Sequence, residues 1–141
     1  SDTLPAIRCI PGQIGQILLN LIANAVDSIG ELRDKAAQKI LLRITSSSED
    51  QGTFIDIEVH DSGPGVPMEL REKIFDSFFT TKSAEKGTGI GLAVCRGIAE
   101  AHDGTLSVTA SNTLQGACFR LRLPVDSTIT SPSDVISSQT D

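Results

Sequence analysis

Residues 13–29 read Gln-Ile-Gly-Gln-Ile-Leu-Leu-Asn-Leu-Ile-Ala-Asn-Ala-Val-Asp-Ser-Ile, and no other stretch restricts the chain so strongly. Ile14, Ile17, Leu18, Leu21, Ile22, Ala25, Val26 and Ile29 recur at the three- and four-residue steps of a helix packed on a core. Gln13, Gln16, Asn20, Asn24 and Asp27 fall on another side. Most such stripes are the solvated face of an amphipathic helix. A solvated face usually carries Lys, Glu and Arg, however, and the stripe from Gln13 to Asp27 has none. Asn and Asp are mediocre helix formers, and burying either without a partner costs about 1–3 kcal/mol. Amide and carboxylate oxygens on a rigid helix suit a hard cation: Mg²⁺ takes oxygen ligands, keeps several waters and is commonly shared with phosphate groups.

The chain has 141 residues, 39% hydrophobic and 21% charged, enough for one compact domain with a core and too few for two. A net charge of −6 argues against general affinity for nucleic acid or an anionic membrane, while leaving room for a local basic phosphate site. No run approaches the ~20 apolar residues of a membrane span. Asp2 and Pro5 stand where a signal peptide would be basic and then apolar. Cys9, Cys95 and Cys118 are odd in number and widely spaced, as expected of small buried hydrophobes in a reducing compartment. With His60 and His102 far apart, the composition argues against Zn²⁺.

Ahead of the helix, Thr3 to Ile10 reads as a strand, closed by a turn at Pro11-Gly12. After Gly30, residues 31–38 are charged and read as a loop or frayed turn. Ile40 to Ser46 and Phe54 to His60 alternate as strands, with Leu42, Ile44, Ile55, Ile57 and Val59 at the apolar positions and a polar hairpin between them.

Asp61-Ser62-Gly63-Pro64-Gly65-Val66-Pro67 follows directly, with glycines and prolines that force a tight, pre-set path. Taken alone it is a surface turn capped by Asp61. A carboxylate fixed at a strand end can also accept a hydrogen bond from an exocyclic amine such as adenine N6, and Gly63 and Gly65 leave room for a flat ring. Met68 to Asp76 reads as a short helix with Pro67 in its first turn. Phe75 to Phe79 holds three of the five phenylalanines, with Phe75 expected in the core, and Thr80, Thr81, Lys82 and Lys86 read as a lid or a solvated loop. Gly87-Thr88-Gly89-Ile90-Gly91-Leu92 opens a helix from Ile90 to Ala101. Unpaired backbone N–H groups and the helix dipole at such a start favour an anion. The spacing is not that of a P-loop, and no strand immediately precedes it as a dinucleotide fingerprint requires. Gly104 is the expected left-handed cap of that helix. Thr105 to Ala110 and Ala117 to Pro124 read as strands joined by a polar hairpin, and residues 126–141 as a flexible tail.

Four stations therefore stand in order, and together they resemble the catalytic ATP-binding domain of sensor histidine kinases, within the GHKL group of ATP-binding domains. Asn20-Leu21-Ile22-Ala23-Asn24-Ala25 looks like the N box, Asp61 to Gly65 is similar to the G1 box, Phe75 to Phe79 to the F box, and Gly87 to Leu92 to the G2 box. The resemblance implies an ATP-binding domain over residues 1–125. Its fold would be a two-layer α/β sandwich of the Bergerat type: a mixed sheet of about five strands, about three helices on one face, and an ATP lid. It makes Asn24 the Mg²⁺ ligand, Asn20 a second polar contact near metal and phosphates, and Asp61 the adenine ligand in a pocket shaped by Gly63 and Gly65. Gly87, Gly89 and Gly91, with Thr88, Ile90 and Leu92 in the same motif, would serve the phosphates, as would Thr81 and Lys82 from the lid. Asp27 departs from the Lys or Arg that relatives often carry one turn after the N-box Asn, so γ-phosphate charge would be met from elsewhere, such as the lid lysines.

The implied reaction is transfer of the ATP γ-phosphoryl group to a histidine on a separate dimerisation domain, with a response regulator receiver domain downstream. No direct nucleic-acid partner is implied, and membrane contact only through upstream segments, which places this part in the cytoplasm. His60 and His102 end elements and read as structural, so no catalytic residue is assigned within the chain. GHKL ATPases place a water-activating Glu near the first N-box position, where this chain has Asn20, a poor general base. A nucleotide-sensing module or an anti-sigma-type serine kinase is the remaining alternative.

Overall fold

The computed structural model describes residues 4, 7–30, 32–76 and 91–125. The expected lid, the Phe78-Phe79 half of the aromatic cluster and the tail at 126–141 lie outside the described residues.

The described chain forms a four-stranded sheet with helices on one face. Helix α1 spans Pro11–Ile29, β1 Ile40–Glu49, β2 Gly52–Asp61, α2 Gly91–Ala101, β3 Thr105–Ala110 and β4 Ala117–Pro124. The strand order is β1-β2-β4-β3, and every pairing is antiparallel. The two-layer α/β sandwich holds, but the expected mixed sheet of about five strands is four antiparallel ones among the described residues. The strand read over Thr3 to Ile10 is not formed at Leu4 or residues 7–10. Ile7 and Cys9 pack against the core instead, and the Ile10 N–H donates to His102 Nε2 at 3.0 Å.

Alternation explains the layers. Ile55, Ile57 and Val59 of β2, Phe119, Leu121 and Leu123 of β4, and Leu106 and Val108 of β3 face the helices and are buried. They meet Ile14, Ile17, Leu21 and Ala25 of α1 and Cys95 and Ala99 of α2. Phe75 closes one end of this core, edge-on to Phe119 with ring centroids 6.4 Å apart.

Several boundaries differ from the sequence reading for local reasons. Pro11 and Gly12 begin α1 rather than precede it, since proline at the first helical position loses no hydrogen bond the helix would have made. Strands β1 and β2 extend through Glu49 and from Gly52, because ladder bonds continue through Ser47 and Thr53 after the apolar alternation ends. Met68 to Asp76 forms two 3₁₀ turns, Met68–Leu70 and Lys73–Phe75, and Pro67 precedes the first in an extended conformation. Residues 31–38 contain a 3₁₀ turn at Lys35–Ala37, capped by Asp34. After α2 the left-handed residue is Asp103, with φ 61°, not Gly104. Gly104 is required by space: a β-carbon there would lie 2.2 Å from the Arg122 carbonyl oxygen.

Candidate nucleotide site

The C-terminal ends of α1 and β2 meet at Gly63. A β-carbon on that residue would lie 2.0 Å from Ser28 Oγ, so the turn after β2 sits directly on the last turn of α1. Ser62 fixes the other side of the turn. Its hydroxyl donates to the Ala37 carbonyl at 2.5 Å and accepts the Lys39 N–H at 2.8 Å. Arg71 Nε donates to the Val66 carbonyl at 3.3 Å, which braces the exit from the turn. Gly65 has φ +78°, a conformation that favours glycine, and packs over Gly116.

Asp61 is the last residue of β2, on the helix-bearing side of the sheet, and is only 2% exposed. Its Oδ1 accepts N–H groups from Gly63 at 2.9 Å and from Ala117 at 3.2 Å. The Gly116 N–H donates to the Asp61 carbonyl at 3.1 Å. Among the described residues no Lys, Arg or His forms an ion pair with this carboxylate. A buried charge without a cation is costly unless several donors converge on it. Two backbone donors, from Gly63 and Ala117, hold one of its oxygens.

On α1, Asn20 and Asn24 are half-buried and one turn apart on the same face. Asn20 Nδ2 donates to the Gln16 carbonyl at 3.0 Å, and its side-chain oxygen faces α2. That oxygen lies 3.0 Å from where a β-carbon on Gly91 would stand, so the first residue of α2 approaches the first N-box Asn directly. Gln16 is exposed and belongs to the solvated part of the stripe. Leu92 packs against the core. The structure thus brings Asn20 and Gly91 together at the middle of α1, and Asp61, Gly63 and Gly65 together near its C-terminal end. Thr81, Lys82, Gly87, Thr88, Gly89 and Ile90 lie outside the described residues.

The sequence reading missed Gly116, Ala117 and Ser28. Ser111 to Gly116 was expected only as a polar hairpin, and its contact with Asp61 joins the neighbouring ends of β2 and β4.

The opposite face of the sheet carries a separate polar cluster, Glu58, His60 and Cys118, whose potential ligand atoms lie within 4.8 Å of one another. Its hydrogen bonds close on themselves. Ser111 Oγ accepts N–H groups from Thr113 at 3.3 Å and Leu114 at 2.9 Å, so it donates its own hydrogen to His60 Nδ1 at 2.8 Å. His60 Nε2 then carries the ring proton and donates to Glu58 Oε1 at 2.9 Å. Glu58 Oε2 takes both Nε and Nη2 of Arg120, at 2.9 and 2.7 Å. Burial pushes the Cys118 thiol up to about 11, and the Glu58 charge adds to this. A protonated imidazole nitrogen, a neutral thiol and an arginine-held carboxylate form a satisfied network rather than a metal centre. His102 is occupied as well: Nδ1 donates to the Ile98 carbonyl at 2.9 Å while Nε2 accepts from Ile10. Both histidine rings are thus hydrogen-bonded within the fold.

A two-layer sandwich with a buried strand-end carboxylate beside an asparagine-bearing helix defines a class, and the comparisons identify it. Residues 10–127 match the family described as histidine kinase-, DNA gyrase B- and HSP90-like ATPase. The sensor histidine kinase ZraS of Escherichia coli O157:H7 is 42% identical over 132 residues, covering 94% of this chain and 26% of that protein. The solved catalytic domain of the histidine kinase ThkA, in a nucleotide-free form, is 37% identical with a TM-score of 0.63, covering 84% of this chain and 71% of that one. Full-length ShkA in complex with AMPPNP is 36% identical with a TM-score of 0.66, over 86% of this chain and 23% of that one. The chain belongs to this ATPase family, as a catalytic domain of the histidine kinase kind. It spans 26% of the length of the two Escherichia coli ZraS relatives.

Proposed function

We propose that this chain binds Mg-ATP and passes its γ-phosphoryl group to a histidine on a dimerisation and phosphoacceptor domain of the same kinase, in the cytoplasm, for onward transfer to a response regulator. The observation that carries the reading is Asp61: a buried carboxylate with one oxygen held by Gly63 and Ala117, and no cation paired with it among the described residues. Such a group accepts the adenine amine, and Gly63 and Gly65 let its turn sit against Ser28 and Gly116.

The oxygen donors on α1 fit Mg²⁺, which takes carboxamide and phosphate oxygens and neutralises phosphate charge when bound. Asn24 would hold it, with Asn20 beside the phosphates. The chain's own contribution is to fix the base at one end and the triphosphate at the other, presenting the γ-phosphoryl group in line to its acceptor. Residues 1–125 are the nucleotide-binding unit in this reading, and Asn20 in place of a general base favours phosphotransfer over hydrolysis.

The test mixes this chain with the acceptor domain of the same polypeptide and γ-labelled ATP. Acid-labile, alkali-stable label on the acceptor domain is the expected result. Release of phosphate at the same rate with and without that domain would favour the ATPase alternative.

A further inference from the structure

We infer that Gly116 is a positioning residue for base recognition: by lacking a side chain, it lets the turn between β3 and β4 seat Asp61 in the orientation that selects adenine. This rests on the nucleotide reading of Asp61.

A β-carbon on Gly116 would lie 2.4 Å from Asp61 Oδ1, 2.3 Å from the Asp61 carbonyl oxygen and 2.7 Å from Gly63 N. All three atoms belong to the segment that holds the carboxylate, two of them backbone, so none can swing aside as a long side chain would. Conformational need does not explain the glycine. The left-handed residue of this turn is Gln115, with φ 71°, and the positive-φ glycines among those described are Gly52 and Gly65. Space against Asp61 does explain it.

The turn is itself held firmly. Ser111 Oγ accepts from Thr113 and Leu114, and the Ser111 N–H donates to the Gly116 carbonyl at 2.8 Å. From this platform Gly116 and Ala117 deliver successive N–H groups to the Asp61 carbonyl and to Oδ1. With Oδ1 held by two backbone donors, the other oxygen is the one that would accept from the base. It rewards the amine of adenine and opposes the carbonyl that guanine carries there. A methyl group at position 116 pushes the carboxylate off this position and weakens that discrimination.

The experiment measures ATP and GTP affinity for wild type, Gly116→Ala and Ser111→Ala, with circular dichroism to establish folding. Gly116→Ala is expected to lose at least tenfold in ATP affinity with GTP affinity little changed, narrowing the ATP to GTP ratio. Ser111→Ala, which loosens the turn and removes the hydrogen bond to His60 on the far side of the sheet, should narrow it less. A folded Gly116→Ala with the wild-type ratio overturns the inference. Should Gly116→Ala fail to fold, an unchanged ratio in Ser111→Ala overturns it. Failure of the underlying reading is distinct: wild type would then show no preference for ATP, and Asp61→Asn would leave its affinity unchanged.

Discussion

The side-chain oxygen of Asn20 stands 3.0 Å from the point where Gly91 would carry a β-carbon, joining the middle of α1 to the first residue of α2. A side chain at position 91 would press on the carboxamide, which would have to give by a few tenths of an ångström, and Asn24 lies one turn further along the same face.

The metal role of that face gives the first prediction. Asn24→Ala should weaken the Mg²⁺-dependent part of ATP binding about tenfold or more and the Mg²⁺-free part much less, because a lost hard-cation ligand matters only when the cation is present. Calorimetry with and without Mg²⁺ checks it. Equal losses in both would remove the metal assignment.

Gly63 gives the second. Its added β-carbon would fall 2.0 Å from Ser28 Oγ and 3.1 Å from Asp61 Oδ1. Gly63→Ala should lower ATP affinity and thermal stability together, and Ser28→Gly in the same chain should restore stability more than affinity, since it relieves the helix contact and leaves the one to Asp61. Thermal melts and titrations of both variants give the comparison.

Acid stability depends on Glu58. Burial raises its proton affinity, but hydrogen bonds from His60 and Arg120 and the Arg120 charge outweigh this, holding the carboxyl below its usual 4.5. A folded value below the unfolded one contributes stability that is complete above about pH 4.5 and lost as the pH falls through the depressed value. Wild type should therefore lose more stability than Glu58→Gln between about pH 5 and about pH 3. Parallel curves would contradict the ion-pair account.

On the same face, Arg122 clasps Asp56 with Nε to Oδ1 at 2.7 Å and Nη2 to Oδ2 at 2.9 Å, while its guanidinium lies over Phe54. Removing it strands a buried carboxylate. Arg122→Leu should cost about 1–3 kcal/mol in urea unfolding, and adding Asp56→Val should recover most of that loss.

How much was legible follows from the range of each contact. The asparagine stripe and the Asp61 turn are local patterns, so periodicity and glycine placement revealed them. Gly116 was not legible, because what makes it necessary is a carboxylate 55 positions earlier that meets it only after β2 and β4 pair. Likewise Ile40, Leu42 and Ile44 alternate as core residues should and pair with Asp61, Val59 and Ile57. They nevertheless remain 37–49% exposed. β1 is an edge strand and α1 packs over β2, and periodicity carries no information about strand order.

The central claim, an adenine-selecting Mg-ATP site built on Asp61 and the α1 asparagines, is tested most directly by titrating the chain with ATP and with GTP, each with and without Mg²⁺. The account predicts saturable binding of ATP, tighter than GTP and tightened further by Mg²⁺. A folded chain that binds the two nucleotides equally, or neither, would contradict it.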